Sequence, residues 1–182
     1  EWEAAHTVWL WADPSPSMLY KSEFGNVSKE SRALVLVLAL AELLSRSGER
    51  IAWPGLTDPF SSRNGAERLA ARLHHAERFT ARPNLAPVSR YSDVVLASDF
   101  LDPVEETIAW LDPLAERGVR AHLIEVSDPA EETFPYSGRT EFHDPESGEK
   151  LTAGRAQPLS AACRRRYAAR RAQLAAWRGR LG

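Results

Sequence analysis

Short apolar runs alternate with longer periodic stretches along the chain, and this predicts strands and helices in turn. His6 to Ala12 reads as a strand with Val8, Leu10 and Ala12 on one face and Thr7, Trp9 and Trp11 on the other. Both faces are bulky and apolar, as expected of a central strand covered on both sides. A polar loop follows from Asp13 to Val27, with Gly25-Asn26 as a turn signal. Ser28 is placed to cap a helix with Glu30 in its first turn, and the helix runs to about Ser47, where Gly48 stops it. Because Ala33 to Leu44 is apolar nearly all round, this helix is expected to be deeply buried.

Glu49 to Trp53 reads as a second strand closed by Pro54-Gly55, and Gly65 to His75 as an amphipathic helix with Leu69 and Leu73 on one face. Thr80 to Tyr91 holds two prolines and no period. Asp93 to Ser98 is the third strand. A helix opens at Asp102-Pro103, continues through Ile108, Leu111, Pro113 and Leu114, and ends at Gly118. Val119 to Val126 is the fourth strand. Arg139–His143 and Glu149–Ala153 then flank Asp144-Pro145-Glu146-Ser147-Gly148 as a β-hairpin, and Pro158 to Arg180 is a final helix. The succession predicts an α/β fold: a three-layer, doubly wound, mainly parallel sheet with a C-terminal hairpin and helix.

The 182 residues fit one domain with a full core, spanning 1–182, and the start at Glu1 reads as a fragment of a longer chain. A net charge of -2 argues against nucleic acid as the partner. Cys163 is the sole cysteine, so no internal disulfide forms, which fits a reducing, cytoplasmic setting. The longest apolar run, Ala33 to Leu44, is interrupted by Glu42 and is shorter than the roughly 20 residues a bilayer requires.

Chemistry concentrates at two strand ends. The first strand ends in Asp13-Pro14-Ser15-Pro16-Ser17 and the third in Ser98-Asp99. In a doubly wound sheet such ends meet at the crevice where ligands bind. Alternation lets Asp13, Ser15 and Ser17 point inward from one loop stiffened by Pro14 and Pro16. Two carboxylates and two hydroxyls form an oxygen-only set suited to a hard cation such as Mg²⁺, or Mn²⁺. The same residues also fit a plain proline turn in which the serines and Asp99 cap backbone groups.

Asp13-Pro14-Ser15-Pro16-Ser17-Met18 followed by Ser98-Asp99 resembles a von Willebrand factor type A domain with its metal-ion-dependent adhesion site. Ser127-Asp128-Pro129-Ala130-Glu131, Phe134-Pro135, and Gly138 through Glu149 narrow the resemblance to the bacterial domain of unknown function family 58. Those proteins are von Willebrand A-like and typically encoded beside MoxR-type AAA+ ATPases. The resemblance implies direct metal contacts from Ser15 and Ser17, with Asp13 and Asp99 binding directly or through water. The family's threonine ligand, often after glycines, has no equivalent Gly-Gly-Thr here. Thr80 and Asn84 are the nearby candidates, and Asn84 in Pro83-Asn84-Leu85 lies closer to the expected spacing. In such domains the last coordination position takes a carboxylate from a partner protein, so the metal bridges and does not catalyse.

Other features have plainer readings. His74-His75 point in different directions on a helix, and His143 is a solvated turn residue. Asp128 and Glu131 either extend an acidic rim around the metal loop or start a turn or short helix. Arg164, Arg165, Arg166, Arg170 and Arg171 read as the solvated face of the last helix, with Leu174 and Trp177 docked on the sheet, or as a docking surface for an acidic partner. The expected function is a metal-dependent protein-interaction module that serves a MoxR-type ATPase as an adaptor or chaperone-like partner, and no catalytic residue is assigned. Two alternatives are a scaffold with a degenerate, metal-free site and an aspartate-dependent phosphatase. The latter would want an acid where Ser15 stands. No phosphate-cradling glycine motif is present.

Overall fold

The structure, a computed structural model, describes residues 5–76 and 82–178. Thr80, Trp2 and the end of the last helix at Arg180 lie outside the described residues. One sheet contains β1 (Thr7–Ala12), β2 (Arg50–Trp53), β3 (Thr57–Phe60), β4 (Asp93–Ser98) and β5 (Arg120–Glu125) in the order β3-β2-β1-β4-β5. β1 pairs in parallel with β2 and β4, and β4 with β5. The apolar strand β1 is therefore central, as its two bulky faces require.

The sheet is flanked by α1 (Lys29–Arg46), α2 (Gly65–His75), α3 (Val104–Glu116) and α5 (Gln157–Arg178), consistent with a three-layer α/β fold. α1 covers β1, β2 and β4 and packs on α2, while α3 packs on β5 and α5. Trp110 of α3 meets Trp11 of β1 edge to face, with ring centroids 5.5 Å apart. Leu174 and Trp177 of α5 are buried, and the Trp177 indole donates to Asp112 at 3.0 Å. A short helix α4 (Pro129–Thr133) follows β5. β6 (Thr140–His143) and β7 (Lys150–Ala153) form a separate hairpin.

The boundaries of α1 follow its caps. Ser28 Oγ accepts the Ser31 N–H at 3.2 Å, and Gly48 leaves the helix at φ 85°. Its burial differs from expectation. Ala33, Val37, Ala41 and Ser45 form one buried stripe, whereas Val35 and Leu43 are 63% and 65% exposed. The sheet covers one stripe of a helix and α2 a second. Composition alone does not reveal that the third face is left without cover among the described residues.

β3 was not expected from the pattern. The turn at Pro54-Gly55, with Gly55 at φ 77° and Leu56 N–H donating to Trp53 O at 3.0 Å, reverses the chain into an antiparallel strand. Asp58 and Pro59 are poor strand formers, and proline is tolerated here because β3 is the sheet's edge.

Gly65, the first residue of α2, lies against α1. A Cβ there would stand 2.1 Å from Ser45 Oγ and 3.1 Å from Ile51 Cδ1. Gly65→Ala is expected to cost about 1–3 kcal/mol by overpacking. Ser45→Ala in the same chain should restore part of the loss, since the closest clash is with the hydroxyl. Urea unfolding of the two single variants and the double variant measures this coupling.

Candidate functional site

The parallel register of β1 and β4 brings their C-terminal ends side by side, with Ala12 opposite Ala97 and Asp13 N–H continuing the ladder to Ala97 O at 2.8 Å. Asp13 and Ser98-Asp99 consequently emerge together. Beyond Asp13 the chain makes a single 3₁₀ turn, Pro16–Leu19, pinned by the fully buried Met18. This turn aims Ser15 and Ser17 back toward Asp99.

Four of the five residues anticipated as ligands meet. Ser15 Oγ lies 3.2 Å from Ser17 Oγ, and Ser17 Oγ donates to Asp99 Oδ2 at 2.8 Å. Asp13 Oδ1 accepts the Ser15 N–H at 2.8 Å, and its Oδ2 accepts the Ser98 hydroxyl at 2.5 Å. Asp13, Ser15, Ser98 and Asp99 are buried, and Ser17 is the half-exposed member. Asn84 is not brought in. It is exposed, and its amide oxygen accepts the Ala86 N–H at 2.9 Å in a local turn. Its neighbour Pro83 is tied to α3 through Trp110 Nε1.

A cationic group also joins the cluster. The Lys29 ammonium donates to Asp99 Oδ2 at 2.7 Å and to Glu131 Oε1 at 2.5 Å, with only 2% of its side chain exposed. Asp99 therefore has Ser17 and Lys29 on one oxygen and the Leu101 N–H on the other, at 3.0 Å. Lys29 escaped the reading of the sequence, although it carries a signal. A lysine directly after an N-cap places its charge at the positive end of the helix dipole, which is unfavourable unless a carboxylate waits there.

Two further elements fix Asp99. Phe100 adopts φ 48°, the left-handed region that a bulky residue enters only under constraint. Arg170 of α5 donates to both Asp99 O, at 2.8 Å, and Phe100 O, and also to Glu125 Oε1 at 2.9 Å. Arg171 pairs with Glu125 and Glu132. Arg170 is an anchor, whereas the sequence suggested a solvated face; Arg164, Arg165, Arg166 and Arg171 are exposed as expected, although Arg171 also makes ion pairs. Asp128-Pro129 does start a short helix. Asp128 and Glu131 form its capping box, and Asp128 Oδ2 also accepts the Ser22 N–H at 2.9 Å. Glu131 at the same time reaches the site through Lys29.

The donor set fits a hard cation. All four converging side chains offer oxygen, and each carboxylate retains unshared lone pairs after the bonds described. Lys29 works against a second cation by repulsion, but Glu131 offsets its charge. Among the described residues no group of three or more histidine, cysteine or carboxylate side chains is arranged to hold a metal, so a cation here would need oxygens besides the two carboxylates, which the serine hydroxyls can offer.

Burial pushes the Asp13 carboxyl above the ordinary aspartate range; hydrogen bonds from Ser98 and Ser15 oppose this, and the nearby Asp99 charge adds to it. Burial also acts upward on Asp128, but the Ser22 and Ala130 hydrogen bonds and Lys29 outweigh it and hold the group low.

The family model described as "Protein of unknown function DUF58" matches residues 1–176. No curated protein matches. Among solved structures, an aerotolerance-related membrane protein from Bacteroides fragilis NCTC 9343, carrying multiple mutations to serines, is similar at 15% identity and a TM-score of 0.42. The match covers 94% of this chain and 96% of that one. An uncharacterized membrane spanning protein from Vibrio fischeri is similar at 14% identity and a TM-score of 0.26, over 92% of this chain and 85% of that one. In the present chain no described helix is long and apolar enough to cross a membrane.

Two measurements test the electrostatics. Lys29→Met leaves the buried Asp99 and the part-buried Glu131 without their cation and is expected to cost about 3–5 kcal/mol in urea unfolding. A loss under about 1 kcal/mol would show that the ammonium does not hold the cluster. Asp13 should titrate above about 3.9, the unperturbed aspartate value, as read from its carboxyl ¹³C shift. Since the folded state holds this proton more tightly than the unfolded chain, Asp13 favours the fold below the unfolded value. That contribution is lost as pH rises through the folded one.

Proposed function

The chain belongs to the DUF58 family, and on that premise we propose that it is a von Willebrand A-like, doubly wound interaction module that engages an acidic side chain of another protein through Mg²⁺ or Mn²⁺. The observation that carries this reading is the convergence of Asp13, Ser15, Ser17 and Asp99 from the ends of two adjacent strands, with Ser17 half-exposed at the rim. Ser15 and Ser17 would hold the ion through their hydroxyls, with Asp13 and Asp99 supplying the charge directly or through water. The bound ion supplies a positive charge that a visiting carboxylate can share. The protein's own residues aim the oxygens. Pro14 and Pro16 stiffen the loop, Met18 pins it, and Arg170 holds the backbone behind Asp99.

Binding is the proposed activity, with no turnover. The hydroxyl that meets a carboxylate here, Ser17 on Asp99, meets one already held by the Lys29 ammonium and the Leu101 N–H, which lowers its strength as a base. For the partner we propose a MoxR-type AAA+ ATPase, which this chain would serve as adaptor or chaperone-like companion. We place that work in the cytoplasm, in keeping with the unpaired Cys163.

One observation favours a second reading. Lys29 already presents a positive charge to Asp99, so the site can also be a self-sufficient, metal-free scaffold.

Calorimetric titration of Mg²⁺ and Mn²⁺ into the wild type and Ser15→Ala/Ser17→Ala separates the two. The module predicts saturable binding to the wild type and its loss in the variant. Absence of binding to either leaves the scaffold reading in place.

A further inference from the structure

The site does not face empty solvent. The β6–β7 hairpin folds over it, and Glu146 Oε1 accepts the Ser17 backbone N–H at 2.9 Å. We propose that Glu146 is a resident, replaceable ligand of the Ser17 loop. The partner is then a peptide segment whose acidic side chain takes Glu146's place while a neighbouring apolar side chain enters the cleft beside it. This rests on the proposal that the site receives a partner's carboxylate, but the Ser17 contact itself needs no metal.

Three observations support it. First, the hairpin loop is built to present this carboxylate. Asp144 accepts from the Glu146 N–H at 3.0 Å and the Ser147 hydroxyl at 2.5 Å, its carbonyl accepts the Gly148 N–H at 2.9 Å, and Gly148 turns at φ 74°. Glu146 is thus held out by a pre-organised turn and lands on a backbone donor of the candidate site.

Second, the contact is easily exchanged. It is an exposed hydrogen bond, and exposed charged contacts contribute little net stability. The hairpin has two strands only and is mostly exposed, with Leu151 at 62%. Such a unit is marginal by itself. Its tethers include an aromatic cluster of Phe134, Tyr136 and Phe142, with centroids 5.1–5.7 Å apart, the Tyr136 hydroxyl bonded to that of Tyr20, and the Ala156 N–H donating to Gly138 O at 2.9 Å, none of them on the sheet. The hairpin can therefore release Ser17 without disturbing the sheet.

Third, room for an incoming segment adjoins the contact. A cleft of about 460 Å³ runs between the hairpin, α4 and α5. Its wall includes Ser17 and Pro145, on either side of the Glu146 contact, and it is surfaced by Tyr20, Phe134, Phe142 and Tyr167. Arg166, exposed on α5, stands at the same cleft and complements an acidic segment. The internal sequence Pro145-Glu146 itself shows the pattern, with an apolar ring next to a carboxylate.

The experiment uses a fluorescein-labelled, end-capped peptide copying residues 142–149. It is titrated by anisotropy into the full chain and into Glu146→Ala, with Mg²⁺ and with EDTA. Glu146 acts in cis at a high effective concentration, so its removal should tighten peptide binding by about tenfold or more. A peptide with glutamine at the position of Glu146 should not bind. Equal affinity for the wild type and Glu146→Ala, binding of the glutamine peptide, or no binding to either protein would overturn the proposal. The magnesium arm keeps the two readings apart. A tightening on loss of Glu146 that persists unchanged in EDTA supports the resident ligand and counts against the metal. Calorimetric Mg²⁺ binding with no effect of Glu146→Ala does the reverse.

Discussion

Charge balance at Asp99 governs the upper edge of the sheet. Its carboxylate is buried, and it is held by one hydroxyl, one backbone amide and one ammonium. A buried anion without such partners would be costly by several kcal/mol. Each partner comes from a different part of the chain: Ser17 from the first loop, Lys29 from the start of α1, and Leu101 from the turn after β4. Lys29 in turn recruits Glu131, and Glu131 belongs to the capping box of α4. Satisfying one carboxylate thus ties the N-terminal loop, the first helix and the segment after β5 into a single arrangement.

That arrangement explains where the sequence was readable. Strands and helices with strong periods, such as β1, β4, α1 and α2, announced themselves because local pattern and tertiary environment agree. The meeting of Asp13, Ser15, Ser17 and Asp99 was also legible, since strand order and the alternation of a short loop suffice to bring them together. The hidden parts depend on long-range partners. Lys29 shows only an unfavourable place on the helix dipole and not the carboxylate that explains it, and Arg170 looks like its arginine neighbours until the carbonyls of Asp99 and Phe100 arrive. Asn84 was offered as a stand-in for the threonine ligand that the resemblance implies, by its expected spacing. The local turn that binds its amide to Ala86 N–H explains why spacing misled.

The same logic applies to the apolar residues of α1. A hydrophobic run records that a helix has something to bury, but not how many neighbours the fold provides. Here the buried stripe of Ala33, Val37 and Ala41 faces the sheet. Val35 and Leu43, no less apolar, remain outward. Edge strand β3 went unseen for the opposite reason: its residues are poor strand formers that are tolerated only because of their position.

Pro59 has one more effect. A strand at the margin of a sheet normally presents a row of free amide hydrogens on which another chain can build. In β3 that row is interrupted, because proline has no hydrogen to give, and Asp58 beside it is exposed and charged. A second copy approaching this flank finds a broken template, so growth of the sheet from molecule to molecule is checked on that side by the covalent structure of one residue.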